Sequence, residues 1–174
     1  DRPDNVLFMD FEEKGSGIDA QLHFGKYLSM SGEAARRFGM DFKPIQYMEI
    51  IREQINLIEK GRYTVAVVDN LEPLENAFYN EVKKFPLNYG LSAANAQSGA
   101  FGGAWPGVNY LVSGFVNSLY ARGIRLVIVT AHLKNVWSAT GPIPNKWKPK
   151  GVERWHELSI LSLVLLTAEN APIP

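Results

Sequence analysis

The sequence predicts an α/β domain with a mainly parallel sheet flanked by helices. Three unbroken apolar runs have the length and, in the last two, the β-branched content of buried strands: residues 5–10, 64–69 and 124–130. Two helical patterns, residues 48–60 and 108–122, each end at a glycine shortly before one of these strands. A helix, a glycine and an apolar strand, found twice in succession, are typical of parallel strands joined by crossover helices. Strands without polar alternation also predict a sheet that is covered on both faces.

The remaining segments give weaker signals. Residues 31–42 have a helical and loop-like composition, residues 41–47 predict a weak strand, and residues 159–167 predict a last apolar strand. Residues 86–107 are small, glycine-rich and nearly uncharged, so they predict a long loop of the kind that is often functional. Residues 134–154 predict a second irregular segment.

Composition limits the possible functions. A chain of 174 residues fits one domain with one hydrophobic core. It has 18 basic and 18 acidic residues, so a nucleic-acid contact would need a local basic patch. The absence of cysteine excludes disulfides and thiolate chemistry. The longest apolar run is about half of what a membrane span needs, and the N-terminus does not resemble a signal peptide, so we expect a cytoplasmic protein without a membrane partner.

Acidic and polar residues follow the three predicted strands. Asp10 ends the first and Glu12 follows it, Asp69 ends the second, and His132 follows the third. The carboxyl ends of parallel strands meet at one edge of a sheet, where ligands bind. In nucleotide hydrolases a strand-end aspartate holds Mg²⁺ and its waters, and a second carboxylate orients the attacking water. Asp69 suits the first role, Glu12 suits the second, and His132 could sense a γ-phosphate.

Two further residues belong to this hypothesis. Asn70 accompanies Asp69 as a candidate for nucleotide contact, and Asp10 is a weaker candidate for a metal ligand. Structural interpretations of the main candidates stay open: Asp69 could cap the following helix, Glu12 could be a solvated charge, and His132 could be a core histidine.

The motifs "VLFMDFE", "YTVAVVDN", "LYARGIRLVIVTAHLKNVW" and "TGPIPNKWKPKGVERWHELSILSLVLL" resemble the RecA-like P-loop ATPases, especially phage-encoded ones associated with single-strand annealing and recombination. The resemblance covers nearly the whole chain. It implies that Asp69 is the Walker B aspartate, Glu12 the catalytic glutamate and His132 the polar sensor. It also implies ATP and Mg²⁺ as cofactors, single-stranded DNA as a partner, and a ring or filament of identical subunits.

One motif of that family does not occur in these residues. The pattern G-x-x-x-x-G-K-[ST] is missing, and the pair Gly25-Lys26 lacks the upstream glycine and the following hydroxyl residue. In the family the phosphate-binding loop precedes the segment that begins here. We therefore expect either a P-loop upstream of residue 1 or a degenerate nucleotide site, and an inactive chain in isolation.

The segment 134–154 combines basic and aromatic residues, which suits a polyanion whose bases can stack. The two tryptophans could instead pack the segment onto the domain. The candidate nucleic-acid contacts are Lys134, Trp137, Lys146, Trp147, Lys148 and Lys150.

Two other functions fit the same residues. An RNase H-like nuclease would use Asp10, Asp69 and a late carboxylate such as Glu157 to hold two metal ions. That fold requires antiparallel strands between residues 13 and 45. A nucleotide-independent module that binds single-stranded DNA would use only the two irregular segments.

Overall fold

The computed structural model describes residues 4–12, 25–98, 103–138, 140–149 and 153–158. These residues form six strands, six α-helices and one 3₁₀ helix. In chain order the elements are β1 (Val6–Asp10), β2 (Lys26–Ser29), α1 (Met30–Phe38), α2 (Pro44–Leu57), β3 (Val65–Asp69), α3 (Leu71–Lys84), the 3₁₀ helix (Pro86–Tyr89), α4 (Ala93–Gln97), α5 (Trp105–Ala121), β4 (Leu126–Val129), β5 (Leu133–Ser138), β6 (Gly141–Pro149) and α6 (Glu153–Leu158).

Four strands form one sheet in the order β2-β1-β3-β4, and every neighbouring pair is parallel. The predicted α/β class and its three apolar strands are therefore confirmed. The strand β2 was not predicted, because its four residues, KYLS, are partly exposed and carry no apolar run. A hairpin of β5 and β6 forms a second, antiparallel sheet.

The helices α2 and α5 match the two predicted helical patterns but begin earlier. Each has a proline in its first turn, Pro44 or Pro106. Proline lacks a backbone N–H, and an N–H at this position would have no partner within the helix. The weak strand expected at 41–47 is wrong, because Pro44 opens α2 there. The glycines after α2 and α5 have positive φ, and an added Cβ on Gly123 would lie 3.0 Å from the backbone of Gly61. The turns after α2 and α5 therefore approach each other closely at this end of the sheet.

The two segments expected to be irregular contain regular structure. Residues 86–107 include the 3₁₀ helix, the short α4 and the start of α5, and the Ser92 side chain caps α4 by accepting the N–H of Asn95. Residues 134–149 lie largely in the hairpin β5–β6. The predictions of a long loop and of an irregular basic segment are therefore wrong for these parts. The last predicted strand, 159–167, lies outside the described residues.

The main core lies on one face of the parallel sheet. Leu7, Met9, Ala66 and Val68 point to this face and are fully buried in a cluster completed by α2, α3 and α5. The opposite face is progressively barer toward β4, where Leu126 is 52% and Ile128 45% exposed. The expectation that both faces are covered is thus not met at β4 in the part of the chain that is described. None of the described helices is long and apolar enough to cross a membrane.

Candidate functional site

Polar side chains form a row along the carboxyl edge of the parallel sheet. Asp10 at the end of β1 lies in register with Ser29 of β2 on one side and with Asp69 of β3 on the other. Thr130, which follows β4, donates its hydroxyl to Oδ1 of Asp69. The backbone N–H of Thr130 also bonds the carbonyl of Val68, 3.0 Å away, and this bond fixes the hydroxyl beside the carboxylate.

Glu12 and His132 meet above this row. Nε2 of His132 lies 3.7 Å from Oε1 of Glu12, and its Nδ1 lies 3.6 Å from Oε2 of Glu72 on α3. The imidazole is half exposed, so it is not a buried core histidine. Glu12 is a quarter exposed and is not a fully solvated charge. The structure therefore brings Glu12 and His132 together, and Asp69 lies at the same edge of the sheet, as the position of each after its strand requires.

The start of α3 is capped by Asn70 and not by Asp69. The Asn70 side-chain oxygen accepts the N–H of Glu72 at 2.8 Å, which satisfies one of the first N–H groups of the helix. Asn70 is 2% exposed, and its Nδ2 has no hydrogen-bond partner among the described residues. The carboxylate of Asp69 is consequently not used for capping and remains at the carboxyl edge beside Thr130.

Asp10 lies behind the exposed part of the row and is 2% exposed. Its Oδ1 accepts the N–H of Glu12 at 2.8 Å, and its Oδ2 accepts the hydroxyl of Tyr27 at 2.5 Å. Burial raises the pKa of Asp10 above its ordinary value; the two hydrogen bonds oppose that rise, and the nearby charges of Asp69 and Glu12 add to it. A buried carboxylate with both oxygens already engaged is a weak candidate for a metal ligand.

Asp69 is the candidate metal ligand at this edge. The described residues contain no cluster of three histidines or carboxylates of the kind that forms an all-protein metal cage. Mg²⁺ usually keeps several waters and takes only one or two carboxylates, with substrate phosphates completing the shell. Asp69 can supply such a carboxylate.

The hairpin places its described lysines on one face. Lys134 of β5 lies directly opposite Lys148 of β6, and Lys146 lies two residues before Lys148, so all three share a face of the ribbon. All three are exposed. Like charges directly opposite each other destabilise a two-stranded ribbon, and this face carries three of them.

The other candidates in this segment are Trp137, Trp147 and Lys150. Asn135 pairs with Trp147 across the hairpin. Trp137 pairs with Pro142 nearer the turn. Lys150 lies outside the described residues.

The helix α6 ties the end of the hairpin to the main domain. Nε1 of Trp155 donates to Oε1 of the buried Glu75 on α3 at 2.7 Å, and the Trp155 ring packs edge-on against Phe115 of α5. Arg154 bonds the Ser113 hydroxyl at 2.9 Å and Oε2 of Glu157 at 2.8 Å. Glu157, the late carboxylate that a nuclease would need, is thus an exposed partner of Arg154.

Three side chains of this site were not among the sequence-based candidates: Tyr27, Glu72 and Thr130. Thr130 had a usable signal, because it ends the run "LVIVT" at the same edge as Asp69. Glu72 looked like an ordinary charge in the first turn of a helix. Tyr27 had no signal, because β2 itself was not predicted.

Comparisons of the chain with protein-family models, with curated proteins and with solved structures returned no match.

Proposed function

We propose that these residues form the catalytic and DNA-binding part of a RecA-like ATPase that acts on single-stranded DNA in recombination, repair or replication. The observation that carries this proposal is the meeting of Glu12 and His132 beside the Asp69–Thr130 pair at the carboxyl edge of a parallel sheet. The resemblance of the sequence motifs to that family agrees with this arrangement in chain order.

Each of these residues has a role in the proposed reaction. Asp69 would hold Mg²⁺ through its waters, and Thr130 keeps the carboxylate of Asp69 oriented by its hydrogen bond. Mg²⁺ would neutralise charge on the phosphates of ATP. Glu12 would orient and deprotonate the attacking water, and His132 would link Glu12 to the state of the γ-phosphate. Asp69 and Glu12 would thus supply the two carboxylates that the reaction needs.

An ATPase of this kind also requires a phosphate-binding loop, which the 174 residues do not contain. In the described sheet β4 has a single neighbour, β3, and Leu126 and Ile128 present an apolar surface on one face. A further strand with its helix, added beside β4, would cover this surface. We propose that a P-loop segment joined to these residues occupies that place, with ATP bound between it and the carboxyl edge.

The lysine face of the hairpin is the proposed contact for single-stranded DNA. Phosphates would pair with Lys134, Lys146 and Lys148, which supply local positive charge in a chain of zero formal net charge. Because β5 begins at Leu133, directly after His132, a shift of the hairpin on DNA would reach the contact between His132 and Glu12. DNA binding and ATP hydrolysis would be coupled by this short connection.

A second function is a nucleotide-independent module that binds single-stranded DNA. The lysine face of the hairpin, taken without the carboxyl edge, favours it. The RNase H-like nuclease has less support, because β1 pairs in parallel with β2, the next described strand, whereas that fold needs antiparallel pairing there.

The distinguishing experiment measures DNA binding and ATP turnover by the protein that joins these residues to a phosphate-binding loop. The ATPase predicts Mg²⁺-dependent turnover that single-stranded DNA stimulates. DNA binding indifferent to ATP would favour the module, and Mg²⁺-dependent DNA cleavage would favour the nuclease.

A further inference from the structure

Asp10 connects a partly buried tyrosine to the backbone of Glu12. The two oxygens of its carboxylate have different partners: Oδ1 accepts the N–H of Glu12, and Oδ2 accepts the hydroxyl of Tyr27. Residues 11 and 12 follow β1 without regular secondary structure, and the bond from the N–H of Glu12 to Oδ1 of Asp10 holds the chain at this point. The direction of the chain at Glu12 therefore depends on Asp10.

Tyr27 is itself held firmly. It lies in register with Phe8 across the β1–β2 pair, and the two rings stack with centroids 5.9 Å apart. Burial and the hydrogen bond to Asp10 raise the pKa of Tyr27 to about 12, so its hydroxyl stays a donor at neutral pH. The phenol thus acts as a fixed support for Oδ2 of Asp10.

The residue between Asp10 and Glu12 is fixed as well. Phe11 is buried, its N–H bonds the carbonyl of Asp69 at 2.5 Å, and its carbonyl accepts the hydroxyl of Tyr47 at 3.4 Å. The segment 10–12 is therefore anchored on both sides, and the Glu12 side chain projects from it to His132.

We propose that Tyr27 and Asp10 are positioning residues, which hold the backbone of Glu12 so that its carboxylate stays beside His132. Asp10 then acts within the protein and is not a metal ligand. The catalytic consequence rests on the proposed ATPase function, because Glu12 must be the residue that orients water. The geometric consequence does not depend on that function.

The geometric arm uses the 174-residue chain and the imidazole Cε1–Hε1 signal of His132 in NMR spectra at fixed pH. The chain has three histidines, so His132→Gln assigns the signal. The Glu12→Gln variant defines the change caused by losing the neighbouring carboxylate. We expect Tyr27→Phe to move the signal in the same direction and by at least half as much. A matched control is Tyr89→Phe, which also removes a tyrosine hydroxyl that donates to a carboxylate, that of Glu81, and should leave the signal in place.

The catalytic arm uses the ATPase-competent protein, which is the protein that joins these residues to a phosphate-binding loop. We expect Tyr27→Phe to lower kcat about tenfold with KM changed less than about twofold, because misplacement of a catalytic group acts on the chemical step. A His132 signal that stays at its wild-type position in Tyr27→Phe, or that Glu12→Gln does not move, would overturn the positioning role. Lack of ATP turnover by the wild-type protein would refute the proposed function and leave the NMR result to decide the positioning role.

Discussion

The Nε2 atom of His132 lies 3.7 Å from Oε1 of Glu12, although 120 positions separate the two residues in the sequence. The contact joins the segment after β1 to the segment after β4. It therefore spans the carboxyl end of β3, the strand that lies between them. Glu72 approaches the other imidazole nitrogen at 3.6 Å. His132 thus lies between the carboxylates of Glu12 and Glu72 and directly precedes the hairpin.

Asp69 is expected to be required for Mg²⁺-dependent turnover. In the ATPase-competent protein, Asp69→Ala should lower turnover at least about a hundredfold, because the carboxylate that would hold the metal through its waters is lost. The measurement is the rate of phosphate release as a function of Mg²⁺ concentration. Thr130→Val removes only the hydroxyl that orients Asp69, so it should cause a smaller loss that added Mg²⁺ partly restores.

An Asp69→Ala protein with wild-type turnover would remove this residue from the reaction. Equal losses in Asp69→Ala and Thr130→Val, without rescue by Mg²⁺, would indicate a structural role for the pair.

The lysine face of the hairpin is expected to contribute most of the salt-dependent affinity for single-stranded DNA. Changing Lys134, Lys146 and Lys148 together to Ala should weaken binding and reduce the slope of log K against log salt by about 2, since each phosphate contact on a single strand contributes about 0.7. The measurement is fluorescence anisotropy with a labelled oligonucleotide at several salt concentrations.

A triple variant with the same loss of charge elsewhere provides the control. Lys26, Lys43 and Lys60 are exposed and lie outside the hairpin, so their change to Ala should leave the slope nearly intact. Equal effects of the two triple variants would mean that the hairpin lysines are ordinary solvated charges.

The buried carboxylate of Asp10 predicts a specific pH dependence of stability. Burial raises its pKa in the folded protein above the ordinary value of 3.8. Its stabilising contribution is therefore fully present below the unfolded pKa and is lost as pH rises through the folded pKa. Relative to the wild type, Asp10→Asn should thus gain stability as pH rises from about 3.5 to 7.

Urea unfolding at several pH values measures this difference. Glu33 supplies the opposite sign, because the hydrogen bond from Arg36 lowers its pKa. Relative to the wild type, Glu33→Gln should lose stability as pH rises over the same interval. An Asp10→Asn difference that is flat with pH would show that its carboxyl titrates alike in both states.

The bare face of β4 is expected to make the 174-residue chain prone to association. Leu126 and Ile128 are about half exposed and are two residues apart on the same strand face. Changing both to Thr should keep β propensity and lower aggregation, because the exposed apolar area falls. Light scattering at increasing protein concentration measures the effect.

The same double variant should lower the unfolding midpoint of the ATPase-competent protein if a P-loop segment packs on this face. An unchanged unfolding midpoint there, together with unchanged scattering of the 174-residue chain, would mean that the face is ordinary surface.

The sequence was sufficient for the class of the fold and for the edge where polar residues gather. The runs ending in Asp10 and Asp69 are apolar enough to be recognised as strands, and parallel pairing then brings their ends together. It was not sufficient for β2, whose four residues are stabilised by the edge of β1 and by the stacking of Tyr27 on Phe8. The role of Asp10 was missed for the same reason, because its partner Tyr27 is on that strand.

The hairpin shows a different limit. Prolines and alternating lysines in residues 141–149 are poor strand signals, yet cross-strand pairing with β5 makes a ribbon of them. Pairing partners that lie a few residues away but have no apolar alternation are not visible in a single sequence. The lysines were therefore found by charge, and their common face was found only from the register.

The most direct test of the proposed function compares ATP binding and ATP hydrolysis in the Glu12→Gln variant of the protein that joins these residues to a phosphate-binding loop. Glu59→Gln, a change at an exposed glutamate after α2, is the matched control. We expect Glu12→Gln to bind ATP with affinity within about threefold of the wild type and to lose hydrolysis at least about a hundredfold, because a general base contributes two to four orders of magnitude. Hydrolysis by Glu12→Gln at the rate of the wild type and of Glu59→Gln would contradict the assignment of this edge as an ATPase site.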